Sequence, residues 1–168
     1  MMTNDSIYSE KISSNKTELL FLALAALFLG LSIWRVSVGM LDILTVVFFC
    51  LLGIFVFYSL NFRTLKIEIT SESLQLVFGI FTWGVSLDNI QDCCLDELPV
   101  FLRLGGAGIH FMSVRKRYRA SFNFLEYPRV VIALKKKAGL VRDVSFSTRQ
   151  PDSVLRHLQE ILLVKLAA

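Results

Sequence analysis

The sequence predicts an α+β, mainly β protein: a two-helix hairpin able to cross a membrane, then a seven-stranded sandwich capped by a C-terminal helix. Three observations support this class. Between Leu19 and Leu60 the only charged residues are Arg35 and Asp42. From Asn61 onward, apolar residues recur at every second position, which is typical of strands with one buried face. After Pro151 the apolar spacing becomes helical.

The hairpin is predicted from the length of two apolar segments, at about residues 19–36 and 41–60. Leu19–Trp34 contains 16 uncharged residues and Ile43–Leu60 contains 18. As helices they measure roughly 24 and 27 Å, against a hydrocarbon core of about 30 Å. A buried helix of a soluble core would need more protein around it than this chain has. A cleaved signal peptide fits poorly, because a second apolar segment follows at once.

The distribution of basic residues predicts the topology. Lys11, Lys16, Arg63 and Lys66 flank the hairpin, whereas only Arg35 lies in its loop. Since basic residues concentrate on the cytoplasmic side, we expect a protein integral to the cell membrane with both termini cytoplasmic. Residues 1–18 then form a cytoplasmic leader, residues 19–60 the hairpin, and residues 61–168 a cytoplasmic domain.

The cytoplasmic domain carries the basic excess of the chain. The formal net charge is +4, and residues 61–168 contribute 15 cations and 10 anions to it. Alternating apolar residues and turn residues predict seven antiparallel strands in this part of the chain. These strands are Thr64–Thr70, Leu74–Phe78, Trp83–Leu87, Ile90–Leu95, Tyr118–Phe124, Val130–Leu134 and Arg142–Ser147. In the fifth of them, Tyr118 is expected to point toward the core. The segment Asp96–Arg117 is expected to be a long irregular loop.

Two stretches carry a family resemblance. Leu65–Gln91 contains a strand pair, a Gly-x-Phe motif and the turn Ser-Leu-Asp-Asn-Ile. Arg129–Gln159 contains a strand, a Lys/Gly turn and Ser-Thr-x-x-Pro-Asp before a helix. Together they resemble the bacterial pleckstrin-homology-like (PH-like) domains found behind a two-helix membrane anchor. The resemblance implies two nearly orthogonal sheets, a partly open barrel, closed at one end by the final helix.

No pattern in the chain indicates catalysis, a metal site or a cofactor. His110 and His157 have no Cys or His partner at zinc spacing, and Cys93-Cys94 is not a C-x-x-C motif. The acidic cluster Asp92, Asp96 and Glu97 is typical of a solvated strand end. The Gly105–Gly108 cluster lacks the lysine of a phosphate-binding loop. We therefore expect a non-enzymatic protein with no cofactor and no bound metal.

Basic residues are the strongest functional lead in the sequence. An integral anchor disfavours nucleic acid as the partner, whereas anionic lipid headgroups lie within reach of a domain that follows directly after the second span. The function predicted is therefore a membrane-anchored binding or scaffolding module that contacts membrane lipids. The alternative is an assembly subunit that binds other membrane proteins, or itself, through its spans or a sheet edge. The candidate headgroup-binding residues are Arg115, Lys116, Arg117, Arg119, Lys135, Lys136 and Lys137.

Overall fold

The structure is a computed structural model that describes residues 6–96 and 107–167, with side chains to Val164. Within these ranges it contains three α-helices, one short 3-10 helix (Leu87–Asn89) and nine strands. The helices are α1 (Asn15–Ser37), α2 (Ile43–Asn61) and α3 (Pro151–Ala167). The strands are β1 (Tyr8–Ser13), β2 (Thr64–Ile69), β3 (Ser73–Phe78), β4 (Phe81–Ser86), β5 (Ile90–Leu95), β6 (Gly108–Val114), β7 (Arg117–Asn123), β8 (Arg129–Ala138) and β9 (Val141–Ser147).

Helices α1 and α2 form the hairpin that the sequence predicted. Both are long and apolar enough to cross a membrane, and most of their apolar surface is exposed. Each begins at a side-chain cap: Ser14 Oγ accepts a hydrogen bond from Thr17 N, and Asp42 Oδ1 accepts one from Thr45 N. Across the connecting turn, Arg35 forms an ion pair with Asp42, which lowers the pKa of this carboxyl. Asp42 is therefore a loop residue that starts the second helix.

Strand β1 lies in the predicted leader, residues 1–18. It pairs antiparallel with β2, placing Ile12 opposite Leu65, and gives a four-stranded sheet in the order β1-β2-β3-β4. The sequence did not predict this strand because Ile12 is its only fully buried side chain. A polypeptide of residues 61–168 alone would therefore lack one strand of the fold.

The second sheet has five strands in the order β5-β8-β9-β7-β6. The prediction of seven antiparallel strands was wrong in two respects. β1 and β6 are additional strands, and β7 pairs with β9 in parallel, with Arg119 opposite Asp143. The α+β class with two sheets is confirmed, and the sheets do not close into one barrel.

The hydrophobic core lies between the two sheets, on the faces with alternating apolar residues. Tyr118 is an exception to the predicted alternation: it is 41% exposed and stacks on Phe111, which is also exposed. Val154 and Leu158 of α3 are completely buried, and the helix packs against β5 and β8. Other completely buried apolar side chains are Leu65, Ile67, Ile69, Leu74, Leu76, Phe78, Ile90, Phe124, Val130, Ile132, Val144 and Phe146.

A hydrogen-bonded clasp joins β1 to the start of α3. Glu10 Oε2 accepts hydrogen bonds from Tyr8 Oη, at 2.9 Å, and from Thr148 Oγ1. Glu10 Oε1 accepts the backbone N–H of Arg149, also at 2.9 Å. The ring of Tyr8 packs against His157 of α3 with centroids 5.7 Å apart. The clasp thus joins the N-terminal strand to the C-terminal helix on the same side of the sandwich.

Burial and the neighbouring Glu10 carboxylate raise the pKa of Tyr8 to about 12. A raised pKa means that the folded protein holds this proton more tightly than the unfolded chain does. The protonated Tyr8 therefore adds to the free energy of unfolding below pH 10, and this contribution is lost as the pH rises toward 12. We expect Tyr8→Phe to reduce the fall in thermal midpoint between pH 9 and pH 11. The matched control is Tyr118→Phe. Equal alkaline losses in Tyr8→Phe and the unsubstituted chain would contradict the assignment.

Candidate functional site

Two of the predicted basic segments meet at one end of the five-stranded sheet. Strands β7 and β9 are parallel, with Arg119 opposite Asp143, so both strands begin at the same end of the sheet. The β6–β7 turn, which precedes β7, therefore lies beside the β8–β9 turn, which precedes β9. We call this the basic end, and define it by the exposed cations of the β6–β7 turn and of the last part of β8. They are Arg115, Lys116, Lys135, Lys136 and Lys137.

Local backbone geometry fixes both parts of the basic end. Arg115 and Lys116 occupy the β6–β7 turn with φ of 49° and 65°, the left-handed conformation that a tight hairpin turn requires. Asn89 holds the other part: its Nδ2 donates to Lys136 O at 3.0 Å, and its Oδ1 accepts from Lys136 N at 2.7 Å. The lysine run is therefore held in place by its backbone, while its three side chains are exposed.

Arg117 and Arg119 were predicted to bind headgroups, and the structure places both beside carboxylates. Arg117 Nε donates to Asp143 Oδ1 at 2.8 Å. Arg119 Nη1 donates to Asp96 Oδ1 at 3.1 Å, and these two side chains are only 9% and 4% exposed. Arg119 therefore belongs to a buried ion pair instead of the exposed basic surface. The headgroup role of the other candidates stays a prediction.

The basic end lies away from the point where the helices join the domain. At the opposite end of β7, Leu125 N donates to Thr17 Oγ1 at 3.3 Å, and Tyr127 Oη donates to Ser13 O at 2.8 Å. Phe62, which caps α2, lies against Gly108 at that same end of the sheet. Along β7 the two ends are separated by roughly 20 Å. This separation exceeds the screening length of about 8 Å at physiological salt.

The outer face of the five-stranded sheet is polar and yet buried. In register, His110 lies opposite Ser121, and Ser121 opposite Ser145, with the two serine hydroxyls 2.8 Å apart. Asn123, on the same face of β7, is 0% exposed, and its amide forms no hydrogen bond with the residues that the structure describes. Both His110 nitrogens are also buried and have no hydrogen-bond partner within residues 6–96 and 107–164. Burial, with a smaller contribution from Arg129, lowers the pKa of His110.

Sequence alone did not identify this buried polar face. Alternation in β7 correctly placed Arg119, Ser121 and Asn123 on one side, but polar residues on one face of a strand ordinarily indicate solvent. The one available signal was the matching polar alternation of Ser145 and Ser147 in β9. It does not reveal that the face is covered.

Asp92 and Asp96 of the acidic cluster, and the two adjacent cysteines noted in the sequence, lie in or beside β5. Asp92 Oδ1 accepts the N–H of Cys93 at 2.8 Å, and Asp96 pairs with Arg119. Cys93 is buried and Cys94 is exposed. Residues 97–106 of the predicted Asp96–Arg117 loop lie outside the described residues. They include Glu97, the apolar run Val100–Leu102, and Gly105–Gly106.

Comparisons with protein-family models, with curated proteins and with solved structures gave no match to this chain. What the protein does is therefore argued from its own residues.

Proposed function

We propose that this chain is a non-enzymatic integral membrane protein whose cytoplasmic β domain is a membrane-anchored binding or scaffolding module. In this proposal α1 and α2 cross the cell membrane, and both termini lie in the cytoplasm. Assignment of the domain to the PH-like class is part of the proposal. It is supported by the two packed sheets and by the C-terminal helix that follows the last strand.

One observation carries the proposal: the apolar hairpin is anchored into the domain through both of its ends. The start of α1 bonds to Leu125 through Thr17, and Phe62 at the end of α2 packs on Phe78 with ring centroids 4.9 Å apart. Ion pairs add to this junction, with Arg63 joined to Glu18 at 2.8 Å. A module fixed at both helix ends has a restricted set of orientations relative to the membrane, as a scaffold requires.

The proposed contact surface is the basic end. Its five exposed cations can contribute on the order of 1 kcal/mol each when they lie near an anionic bilayer surface. Because the basic end lies away from the helix junction, contact with headgroups requires the domain to lean toward the membrane. Arg117 and Arg119 are not included, since each already has a carboxylate partner.

The headgroup contact is tested with the full chain in nanodiscs of neutral or anionic lipid. We expect anionic lipid to slow amide exchange in residues 113–118 and 134–140, and this protection to fade as salt is raised. Lys135→Glu with Lys137→Glu should abolish the difference between the two lipids. A variant of an exposed cation on α3, Arg156→Glu, is the control. Equal exchange in both lipids at low salt would overturn the headgroup contact.

A second candidate function is an assembly subunit that binds other membrane proteins, or itself, through its spans or a sheet edge. It is favoured by the exposed apolar surface of α1 and α2 and by the edge strands β4 and β6. This alternative predicts a defined homo-oligomer or a co-purifying membrane protein in mild detergent. A strictly monomeric particle with no partner would contradict it.

Topology is tested with a membrane-impermeant maleimide. Cys94 is exposed, whereas Cys93 is buried and its pKa is raised to about 11 by burial and by nearby Asp92, so its thiol stays protonated. We expect labelling of Cys94 only after the cells are permeabilised, and loss of this labelling in Cys94→Ser. Labelling of Cys94 in intact cells would overturn the cytoplasmic placement.

A further inference from the structure

A cavity of about 310 Å³ lies where the end of α2 meets the edges of the two sheets. Its walls include Tyr58 and Phe62 from α2, Phe81 and Trp83 from β4, and Ile109 from β6. β4 and β6 are the edge strands of their respective sheets and do not pair with each other. The sandwich therefore stays open along this side, and the opening is as large as a small-molecule pocket, for which roughly 300–1,000 Å³ is typical.

The walls of the cavity are pre-formed by aromatic packing. Phe62 stacks on Phe81 with centroids 6.1 Å apart, and Trp83 packs on Phe122 at 6.0 Å. Phe81 and Phe111 are 44% and 51% exposed. Exposed aromatic rings around an apolar opening usually mark a binding surface, because apolar area left in water is unfavourable.

One residue of this wall, Trp83, carries an unsatisfied polar group. Within the part of the chain that the structure describes, its indole Nε1 is buried and has no hydrogen-bond acceptor. Buried N–H groups are nearly always paired in proteins, so this donor is available to an acceptor oxygen of a ligand that enters the cavity. The ligand that fits is a long apolar chain carrying one acceptor oxygen.

The position of the cavity identifies the source of such a chain. Tyr58 lies in the last turn of α2, and Phe62 caps that helix. The cavity is therefore continuous with the apolar surface of a helix that is proposed to face lipid. In that arrangement it opens at the level where acyl chains join their ester groups.

We propose that this cavity binds one acyl chain of a membrane phospholipid, with the chain against the aromatic walls and an ester oxygen accepting the Trp83 indole N–H. The inference rests on the proposed membrane anchor. It assigns the lipid contact to an apolar cavity beside α2, which is a different surface from the basic end.

The test uses tryptophan quenching, because the chain contains only Trp34 and Trp83. The Trp34→Phe variant of the full chain, in vesicles of phospholipid brominated near the ester end of the acyl chain, reports on Trp83 alone. We expect strong quenching. Ile109→Phe, which fills the cavity, should reduce it at least twofold, whereas Leu140→Phe in the exposed β8–β9 turn should leave it unchanged.

Two further measurements distinguish a failure of the acyl-chain site from a failure of the membrane anchor. In the Trp83→Phe variant, Trp34 alone reports whether α1 enters the bilayer, so absence of Trp34 quenching would overturn the membrane anchor itself. Cross-linking of the unsubstituted chain with a photoreactive acyl-chain phospholipid should label residues 107–114. If Trp34 is quenched, the acyl-chain site is overturned by an unquenched Trp83 or by the absence of label in residues 107–114.

Discussion

Replacing Arg119 by alanine is expected to lower the free energy of unfolding by about 3–5 kcal/mol, because Asp96 would keep its charge in a buried position without the guanidinium. For a chain of this length such a loss lowers the thermal midpoint by roughly 6–20 °C, at about 2–4 °C for each kcal/mol. The measurement is thermal unfolding of the full chain in mild detergent, followed by circular dichroism. Arg115→Ala is the matched control and should change stability by less than about 0.5 kcal/mol, because Arg115 is exposed.

A double variant separates the buried pair from a general effect of losing arginine. Arg119→Met with Asp96→Asn removes both charges while keeping side chains of similar size, and should recover much of the stability lost in Arg119→Ala. If Arg119→Ala instead proved as stable as Arg115→Ala and lost protection by anionic lipid, Arg119 would be a headgroup ligand and the structural role would be wrong.

Replacing Glu10 by alanine is expected to destabilise the fold by about 2–3 kcal/mol, because three hydrogen bonds to one carboxylate are lost. Bonds to a charged group are worth about 1.5–3 kcal/mol each, and the partial exposure of Glu10 reduces their sum. Since the clasp joins β1 to α3, we expect faster amide exchange in residues 8–13 and in the first turn of α3.

Glu10→Gln provides the graded comparison for the clasp. The amide keeps one oxygen that can accept the N–H of Arg149, so its loss of stability should be about half that of Glu10→Ala. The control is Glu160→Ala, since Glu160 is exposed on α3. Wild-type exchange in residues 8–13 of Glu10→Ala would show that pairing with β2 alone holds the N-terminal strand.

These two predictions also define which fragments of the protein can be studied. Residues 61–168 contain most of the sandwich, but they lack β1 and the Glu10 carboxylate that joins it to α3. A fragment without them exposes the backbone edge of β2, which is ready to pair with another chain. Lipid or partner binding should therefore be measured on the full chain.

Local pattern was sufficient for the elements with strong periodicity. The two apolar helices were predicted at about 19–36 and 41–60 and occur at Asn15–Ser37 and Ile43–Asn61, because long uncharged runs need no distant partner to identify them. Pro151 starts α3 as expected, since proline fits the first turn of a helix. The two unpredicted strands, β1 and β6, are edge strands of their sheets, and an edge strand carries a weak alternating pattern.

The candidate site likewise has features that local pattern predicts and features that it does not. The sequence identified which residues are cationic, but their partners are distant in the chain: Arg117 pairs with Asp143 and Arg119 with Asp96. The periodicity of a single sequence indicates which residues share one face of a strand. It does not indicate which carboxylate lies beside each cation. It also could not reveal the apolar cavity beside α2, because the walls of this cavity come from α2, β4, β6 and β7.

The sequence by itself determined the apolar hairpin, the basic excess of the part that follows it and the alternating strands of an α+β domain, because each depends on neighbouring residues. Only the tertiary structure decided that the N-terminal segment returns to the sheet as β1, and that the two predicted basic segments meet at one end of the five-stranded sheet. It also decided that Arg119 is buried and that an apolar cavity opens beside α2. Each of these depends on which strands pair, and pairing is set by packing between residues far apart in the chain.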